Sequence, residues 1–283
     1  MAITIERAAE IGLCFGVKRA IEILEKAARE HDGVETLGAV VHNQQVMQRL
    51  AEIGVRTAKG VDDIQGDTVV ISAHGVSPQV EKEIRDRGIN IIDTTCPFVH
   101  RAQVAARRLA ESGFSVIIYG DADHPEVKGV LVWADGKGTA TLDGGSISQL
   151  DPLPHHLGVL SQTTQIPEHF TEFVNKLTDS PLAKNCELRV VDTICRETKR
   201  RQRVALELAK KVDLMLVIGS HTSANTNYLA RLCTKVTQTH LVETAEDIQP
   251  SWLEGQSHIG VTAGASTSEQ TINEVVTRLE ALA

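Results

Sequence analysis

Aromatic residues are scarce in this chain: they make up 3% of its 283 residues, while 42% of the residues are hydrophobic. The core must therefore be built mainly from Val, Ile, Leu and Ala in a globular chain of two or three domains. No run of 18 or more apolar residues occurs, which argues against a membrane span. A formal net charge of −8 disfavours nucleic acid as a partner, because phosphate neutralisation needs a basic surface.

Cysteine is sparse as well, with five residues in the whole chain. An odd, thinly spread set fits a reducing cytoplasm better than a disulfide scaffold. The CxxCxxC run of electron-transfer ferredoxins is absent. The first residues, MAITIERAAEIG, show neither a basic leader nor transit-peptide character, so we expect a cytoplasmic protein.

Three of the Cys residues each open a copy of one repeated unit. The stretches are CFGVKRAI from Cys14, CPFVHRAQ from Cys96 and CRETKRRQ from Cys195. In each stretch a basic residue or His lies four positions after the Cys, an Arg lies five positions after it, and a helical pattern follows. Three thiols on equivalent elements meet at one point if the units pack around a common axis, and they describe a metal or cluster site with one open position.

Polar residues repeat in the same register. Each Cys is followed 28 positions later by a polar residue that ends an apolar run: His42, His124 and Ser223. A further apolar run in each unit ends at His74, Thr163 and Ser266. Units of about 80–100 residues are too long for a solenoid repeat and long enough for compact lobes. We therefore predict three lobes at 14–95, 96–194 and 195–283, with residues 1–13 forming a strand that leads to the first Cys.

The hydrophobic pattern alternates between helices and strands. It predicts helices over 16–29, 43–53, 78–87, 97–111, 168–177, 197–211, 225–232 and 268–282. It predicts strands near 35–41, 68–73, 89–92, 115–119, 158–161, 188–191, 214–218 and 258–262. This alternation is typical of α/β lobes with mostly parallel sheets, in which ligands bind beyond the carboxyl ends of the strands. Residues 134–156 are the loosest segment and are expected to form an irregular connection.

The three repeated thiols have a physical reason to be reactive. Each lies where a strand turns into a helix, and amide dipoles at a helix N-terminus favour the thiolate. The basic residues one turn into each helix (Lys18 and Arg19, His100 and Arg101, Lys199 and Arg200) are unfavourable for the helix dipole. We interpret them as balancing an anionic cluster or docking an acidic electron donor. Cys186 and Cys233 lack repeat partners and are expected to fill space.

Two further groups of residues suggest anion binding and proton transfer. His42, His74, Ser223, Asn225 and Ser266 follow strands or open helices, where hydroxyls, amides and backbone N–H groups bind phosphate. Together they predict a phosphate or diphosphate pocket. The stretch His124-Pro125-Glu126 places a carboxylate on a rigid turn at a strand end, where Glu126 can serve as a proton donor.

At these residues the chain resembles the 4-hydroxy-3-methylbut-2-enyl diphosphate reductase family, the last enzymes of the methylerythritol phosphate pathway of isoprene biosynthesis. The matching stretches are GLCFGVKRAI, VVHN, SAHGV, DTTCP, GDADHPEVKG, SQTT, DTICRETKRRQ, SANTN and VTAGAST. They run in family order over essentially the whole chain. The resemblance implies a trefoil of three α/β lobes around a central iron–sulfur site, and an oxidoreductase that reductively dehydroxylates its substrate to isopentenyl and dimethylallyl diphosphate.

The resemblance also implies a role for each matching residue. Cys14, Cys96 and Cys195 would be the metal ligands of a [4Fe–4S] cluster with one open iron for the substrate hydroxyl. Glu126 would be the proton donor, with His124 and Thr163 along the substrate. The diphosphate would be bound by a larger set: His42, His74, Ser223, Asn225, Ser266 and the backbone of Ala224. A ferredoxin- or flavodoxin-type protein would deliver the electrons.

Two functions of other classes remain open from the residues alone. One is a zinc-dependent hydrolase with a Cys₃ site and Glu126 as general base, although structural zinc usually takes four ligands with close Cys pairs. The other is a non-catalytic iron–sulfur sensor of a phosphorylated metabolite. No output domain or nucleic-acid-binding motif supports the sensor, and neither alternative explains the polar and Cys registers together.

Ala224 is the one departure from the family pattern that matters, because the family often has Ser-Ser-Asn where this chain has Ser223-Ala224-Asn225. The chain therefore lacks one hydroxyl donor to the diphosphate. A charge-assisted hydrogen bond contributes about 1.5–3 kcal/mol, or less where water substitutes. We predict that Ala224→Ser lowers the KM for the diphosphate substrate by up to about tenfold and leaves kcat unchanged. Steady-state kinetics in which the KM stays at the wild-type value would contradict this prediction.

Overall fold

The computed structural model describes residues 3–31, 33–41, 44–149, 154–180 and 186–283. Within them lie twelve β-strands, β1 to β12 in chain order: Thr4–Arg7, Glu35–Leu37, Arg56–Ala58, Thr68–Ile71, Asn90–Asp93, Ser115–Tyr119, Gly138–Thr141, His156–Ser161, Glu187–Val191, Leu214–Ile218, Gln238–Val242 and His258–Ala263. The same residues form nine α-helices, α1 to α9: Phe15–Glu30, Gln44–Glu52, Pro78–Asp86, Pro97–Glu111, Pro125–Trp133, Pro167–Thr178, Arg196–Ala209, Ala224–Thr234 and Glu269–Leu282.

The strands form three four-stranded sheets with one shared topology. The strand orders are β3-β2-β4-β5, β7-β6-β8-β9 and β11-β10-β12-β1. All pairings in these sheets are parallel. In each sheet the edge strand listed last here, β5, β9 or β1, leads into a Cys segment. The α/β fold class with three parallel-sheet lobes is confirmed, and the repeat is circularly permuted because β1 completes the sheet of the third lobe.

The chain divides into two compact units. The first comprises Met1–Lys18, Val41–Glu52 and Arg196–Ala283 and contains the sheet built on β10 and β12. The second comprises Arg19–Val40 and Ile53–Cys195 and contains the two other sheets. The lobe boundaries at 14–95, 96–194 and 195–283 stay a prediction. No helix in the described part of the chain is long and apolar enough to cross a membrane.

Aliphatic side chains build the cores, as the composition predicts. Around β10 and β12 the buried cluster consists of Leu, Ile, Val and Ala residues, with Trp252 only partly buried against it. Buried aromatic residues gather in the lobe around β6 and β8, where the Tyr119 and Phe173 rings lie 4.8 Å apart. Helices α1, α3 and α4 and strands β4, β6 and β10 lie within a few residues of their predicted positions.

The pattern missed several short elements. Strands β3, β7 and β11 were not predicted, and neither was α5, which begins at Pro125. The expectation of an irregular connection over 134–156 is wrong in part, because β7 pairs with β6 and a 3₁₀-helix spans Gly144–Gln149. Residues 150–153 of that segment lie outside the described residues. All three missed strands are short, largely polar and partly exposed, so they give little hydrophobic signal.

Leu160 tests the core that supports the candidate site, because it lies in β8, shortly before Thr163, and is fully buried. We predict that Leu160→Ala lowers the free energy of unfolding by about 2–5 kcal/mol through lost burial and the cavity left behind. Leu142 is 50% exposed, so the matched Leu142→Ala change should cost less than about 0.5 kcal/mol. Urea denaturation followed by circular dichroism gives both values, and equal costs would contradict this description of the core.

Candidate functional site

Each repeated Cys lies between a parallel strand and the first residue of a helix, as predicted. Helix α1 begins at Phe15, α4 at Pro97 and α7 at Arg196, directly after Cys14, Cys96 and Cys195. All three thiol residues are half-buried. At the first of them the backbone N–H of Val17 donates to Cys14 Sγ at 3.5 Å, so an amide of the first turn of α1 is directed at the sulfur.

Each of the three Cys residues makes the same kind of backbone hydrogen bond, to a carbonyl in the turn after a strand. The N–H of Cys96 donates to the carbonyl of Ala73 at 3.0 Å, and that of Cys195 donates to Thr163 at 2.9 Å. The N–H of Cys14 donates to Ala265, also at 2.9 Å. The acceptors lie in the turns after β4, β8 and β12, which also contain His74, Thr163 and Ser266. The two registers found in the sequence, thiol and polar, are therefore joined directly in the fold.

The other two Cys residues have a different environment. Cys233 is fully buried in an aliphatic cluster, and burial raises the pKa of its thiol to about 12. Cys186 packs against the cluster around β8, and burial raises the pKa of its thiol as well. A thiol that stays protonated is a poor metal ligand and a poor nucleophile. The interpretation of these two residues as space-filling agrees with the structure.

Glu126 is a buried acid held by one neighbour. It lies in the first turn of α5 and is 2% exposed. The backbone N–H of Thr163 donates to Oε1 and the Thr163 hydroxyl donates to Oε2, both at 2.7 Å. Burial raises the pKa of the Glu126 carboxyl above its ordinary value, although the two hydrogen bonds from Thr163 act in the opposite direction. The raised pKa keeps the carboxyl protonated to higher pH than an exposed Glu, as a proton donor requires.

His124 contacts the backbone of Glu126, and His74 lies beside His124. His124 is the N-cap of α5, and its Nδ1 accepts the backbone N–H of Glu126 at 3.2 Å. In the neutral ring this places the proton on Nε2, from which His124 can donate to a ligand. The His74 and His124 rings are nearly perpendicular, with centroids 5.8 Å apart. Two imidazoles and one carboxyl thus form a compact polar group.

One continuous path of contacts connects two thiol segments within the second unit. It runs from Cys96 to the β4 turn that contains His74, then to His124 and to Glu126. From Glu126 it continues through Thr163, whose carbonyl accepts the N–H of Cys195. The second unit therefore connects two candidate metal ligands, two imidazoles and a buried carboxyl.

The first unit holds the third thiol with the Ser and Asn residues. Ser223 is the N-cap of α8, and its hydroxyl accepts the N–H of Thr226 at 3.4 Å. Asn225 is 9% exposed, and its Nδ2 has no hydrogen-bond partner among the described residues. The backbone of Gly264 approaches α8 so closely that a Cβ there would overlap Thr226 Oγ1. The β12–α9 turn with Ser266 therefore lies against the start of α8. A buried amide donor at a helix N-terminus suits an anionic ligand.

Ala224 is the first residue of α8 and is half-buried, so its backbone N–H belongs to the open first turn of that helix. His42 lies outside the described residues. Its role stays a prediction from the sequence.

Three residues that hold the thiol segments or the turn before His124 had no role in the predictions from the sequence. Thr94 and Thr193 each lie two positions before a Cys and are fully buried. The Thr94 hydroxyl donates to the Ile71 carbonyl at 2.5 Å, and the Thr193 hydroxyl donates to Ser161 while accepting its N–H. Gln162 was overlooked too, although it stands in SQTT. Its Oε1 accepts the N–H of Asp121 in the turn before His124. The shared Asp-Thr before two of the Cys residues was the available signal.

The thiol residues fit an iron–sulfur group by the chemistry of their donors. Three half-buried Cys follow strands at helix N-termini, with no carboxylate or imidazole in the equivalent positions. Among the residues that the structure describes, no three His, Cys, Asp or Glu side chains are close enough together to be a complete metal site. Cys14 belongs to the first unit, and Cys96 and Cys195 belong to the second.

Comparison with known proteins gives consistent matches over the chain. The profile of the LytB protein family matches residues 5–280. A 4-hydroxy-3-methylbut-2-enyl diphosphate reductase of Dehalococcoides mccartyi strain CBDB1 is 57% identical over 278 residues, which cover 98% of each chain. The protein of the same name from Pelobacter propionicus is 42% identical, with 95% of this chain and 94% of the relative covered.

Solved structures give the same result. A structure described as (E)-4-hydroxy-3-methyl-but-2-enyl diphosphate reductase, the terminal enzyme of the non-mevalonate pathway, is 35% identical with a TM-score of 0.74 and 99% coverage of both chains. The E-1-hydroxy-2-methyl-but-2-enyl-4-diphosphate reductase from Plasmodium falciparum is 27% identical with a TM-score of 0.91. The matched region covers 98% of this chain and 88% of the Plasmodium chain.

The hydrogen bond from the Thr163 hydroxyl opposes the effect of burial on Glu126, so its removal should raise the pKa of that carboxyl further. We predict that Thr163→Val raises the pKa of the Glu126 carboxyl, because the variant lacks one hydrogen bond that favours the ionised form. Thr163→Ser keeps the donor and should keep the wild-type pKa. Infrared titration of the protonated carboxyl band, assigned by its loss in Glu126→Gln, gives the value. A pKa that stays unchanged or falls in the Val variant would contradict the assignment.

Proposed function

This chain belongs to the LytB protein family, and on that premise we propose that it converts 4-hydroxy-3-methylbut-2-enyl diphosphate to isopentenyl and dimethylallyl diphosphate. It is an oxidoreductase. The observation that carries the proposal is the path in the second unit that joins Cys96 and Cys195 through a buried, protonatable Glu126. A reductive dehydroxylation needs electrons and a proton at the same place, and the contact of Thr163 with both the buried Glu126 carboxyl and the Cys195 segment supports this proposal.

The reaction balances with two electrons and two protons. The allylic C–O bond breaks, one proton leaves with the hydroxyl as water, and the second proton forms a new C–H bond. Protonation at one carbon gives isopentenyl diphosphate, and protonation at the other gives dimethylallyl diphosphate. The chain must therefore hold the substrate by its diphosphate, deliver a proton to the hydroxyl and admit electrons.

Cys14, Cys96 and Cys195 would hold a [4Fe–4S] cluster with one open iron. Their thiolates are favoured at helix N-termini and they follow equivalent strands, which suits one soft-ligand group. When bound, the cluster supplies the two electrons of the reaction one at a time.

The diphosphate is bound by donors at strand ends and at the start of α8. Ser223, Asn225 and Ser266 supply side-chain donors in the first unit, and the backbone N–H of Ala224 adds one more. Asn225 Nδ2 has no partner among the residues that the structure describes, which supports this assignment, because such a buried donor costs stability unless a ligand accepts from it. His42 and His74 complete the set.

Glu126 supplies the proton to the leaving hydroxyl. Its raised pKa favours the protonated form. Thr163, whose hydroxyl donates to the Glu126 carboxyl, would lie along the substrate. His124 orients the first turn of α5 through its bond to the Glu126 N–H. Activity that depends on protonated Glu126 is present below its pKa and is lost as the pH rises through it.

We assign two further properties to the same function. The electrons come from a ferredoxin- or flavodoxin-type protein, since a cluster that loses two electrons per turnover needs a low-potential donor. The enzyme works in the cytoplasm, a reducing compartment in which its five free Cys residues persist.

The test is metal and sulfide analysis combined with turnover. Protein purified without oxygen should contain about four iron and four sulfide per chain, as a [4Fe–4S] site requires. With reduced methyl viologen as electron donor it should convert the substrate to both products. Glu126→Gln should keep the iron and lose turnover by about 100-fold or more, the usual contribution of a positioned acid.

Cysteine variants separate ligands from core residues. Cys96→Ser should lose most of the iron, whereas Cys233→Ser, in the aliphatic core, should keep it. Zinc as the only metal, even after anaerobic reconstitution with iron and sulfide, would overturn the reductase and favour the zinc hydrolase. Full iron and sulfide content without turnover would favour the sensor.

A further inference from the structure

The Arg five positions after each repeated Cys contacts a segment that precedes a different Cys. Arg19, which follows Cys14 in the sequence, directs Nη1 at the carbonyls of Thr94 and Thr95, at 3.5 and 3.4 Å. These two residues lie directly before Cys96. The helix after the first thiol therefore contacts the approach to the second thiol, and not its own.

The same relation holds for the second helix. Arg101 follows Cys96, and its Nη2 donates to the carbonyl of Asp192 at 3.2 Å, three positions before Cys195. Asp192 is also the residue whose carboxylate accepts the N–H of Ile194, so it sets the turn that enters Cys195. Arg101 thus holds the backbone of that turn from α4.

The third helix completes the series. Arg200 follows Cys195, and its Nη2 lies 2.5 Å from the Glu10 carboxylate, four positions before Cys14. The buried Arg201 beside it donates to the carbonyls of Glu10 and Ala263, at 3.4 and 3.2 Å. Ala263 ends β12, the strand whose following turn accepts the Cys14 N–H. Every one of these contacts lies inside one of the two units.

The recurrence argues against coincidence. A cation one turn into a helix gains nothing from the helix dipole, and a single exposed Arg contact contributes little stability. Three such cations in one register, each directed at the approach to another Cys, indicate a shared task. Arg suits it because its planar fork of five N–H groups can hold several carbonyl or carboxylate oxygens at once.

We propose that Arg19, Arg101 and Arg200 are positioning residues, and that each one fixes the thiol of the next segment: Cys96, Cys195 and Cys14, respectively. The three thiol segments are thereby coupled in sequence order, first to second, second to third and third to first. The proposal rests on the proposed function only in that these thiols are the ones that hold the iron–sulfur group. It replaces, for the three arginines, the interpretation that they balance a cluster or dock a donor protein.

The experiment is residue-resolved alkylation of the full chain without metal. Wild type and the variants Arg19→Gln, Arg101→Gln and Arg200→Gln are treated with iodoacetamide, and the modification rate of each Cys is read by peptide mass spectrometry. Loss of the contact should loosen the next segment and speed alkylation of its thiol by about two- to tenfold, the range set by one hydrogen bond. Cys96 should respond in the first variant, Cys195 in the second and Cys14 in the third.

Two matched controls lie on α4 and α7, the helices of Arg101 and Arg200. Arg107 and Arg203 pair only with Glu111 and Glu207 one turn away in the contacts described. Arg107→Gln and Arg203→Gln should leave all the alkylation rates at wild-type values. Cys233 reports the fold, because it is fully buried and reacts only on unfolding. Where a Gln variant also speeds alkylation of Cys233, that variant has lost its fold, and the Arg→Lys change at the same position replaces it. Lys keeps the charge and one donor group, so we expect an alkylation rate at the next thiol between those of wild type and the Gln variant.

Two patterns would overturn the proposal. In a purely electrostatic role, the variant would slow alkylation of the Cys on its own helix, because a lost cation raises the pKa of the nearby thiol. Unchanged rates at the next thiol in both the Gln and Lys variants would equally reject it. Iron content of reconstituted wild type separates the two proposals. Protein that takes up no iron but shows the predicted alkylation pattern rejects the iron–sulfur function alone, whereas iron uptake without that pattern rejects the positioning role alone.

Discussion

The backbone hydrogen bond from each repeated Cys to the turn after a central strand is the constraint on which the site depends. It ties Cys96 to Ala73, Cys195 to Thr163 and Cys14 to Ala265. Because a backbone bond fixes both partners, the turn that carries a candidate substrate-binding group is held in place by the segment that carries a candidate metal ligand. The thiol register and the polar register are consequently one structural feature, repeated three times.

Glu126 shows how the same framework controls chemistry. The residue is buried at the start of α5, where desolvation favours its protonated form, while Thr163 supplies two hydrogen bonds that favour the ionised form. Burial is the larger of these opposing effects, so the pKa of the carboxyl stays above its ordinary value. Thr163 takes part in both tasks, because its side chain and N–H hold the acid while its carbonyl holds Cys195.

The segments that precede the three repeated Cys residues are anchored by different contacts. Buried Thr94 and Thr193 anchor two of the Cys segments to the neighbouring strand. The equivalent position, two residues before Cys14, is Gly12, whose φ of +83° favours glycine. That segment is anchored by two arginines of α7. Arg200 pairs with the Glu10 carboxylate, and Arg201 donates to the carbonyls of Glu10 and Ala263.

The sequence alone determined the α/β class, the threefold repeat and the strand–Cys–helix junctions. It also indicated two groups of candidate site residues, the repeated Cys residues and the polar residues at strand ends. These follow from short-range patterns: hydrophobic period, residue spacing and helix-start signals such as Pro97. Only the tertiary structure decided that β1 completes the third sheet, that Thr163 holds Glu126 and Cys195 together, and that each arginine contacts the segment before another Cys. These are contacts between residues far apart in the chain, such as Arg19 with Thr94 and Arg201 with Glu10. A one-dimensional pattern records which groups are present, but the pairing of distant groups is set by how sheets and helices pack.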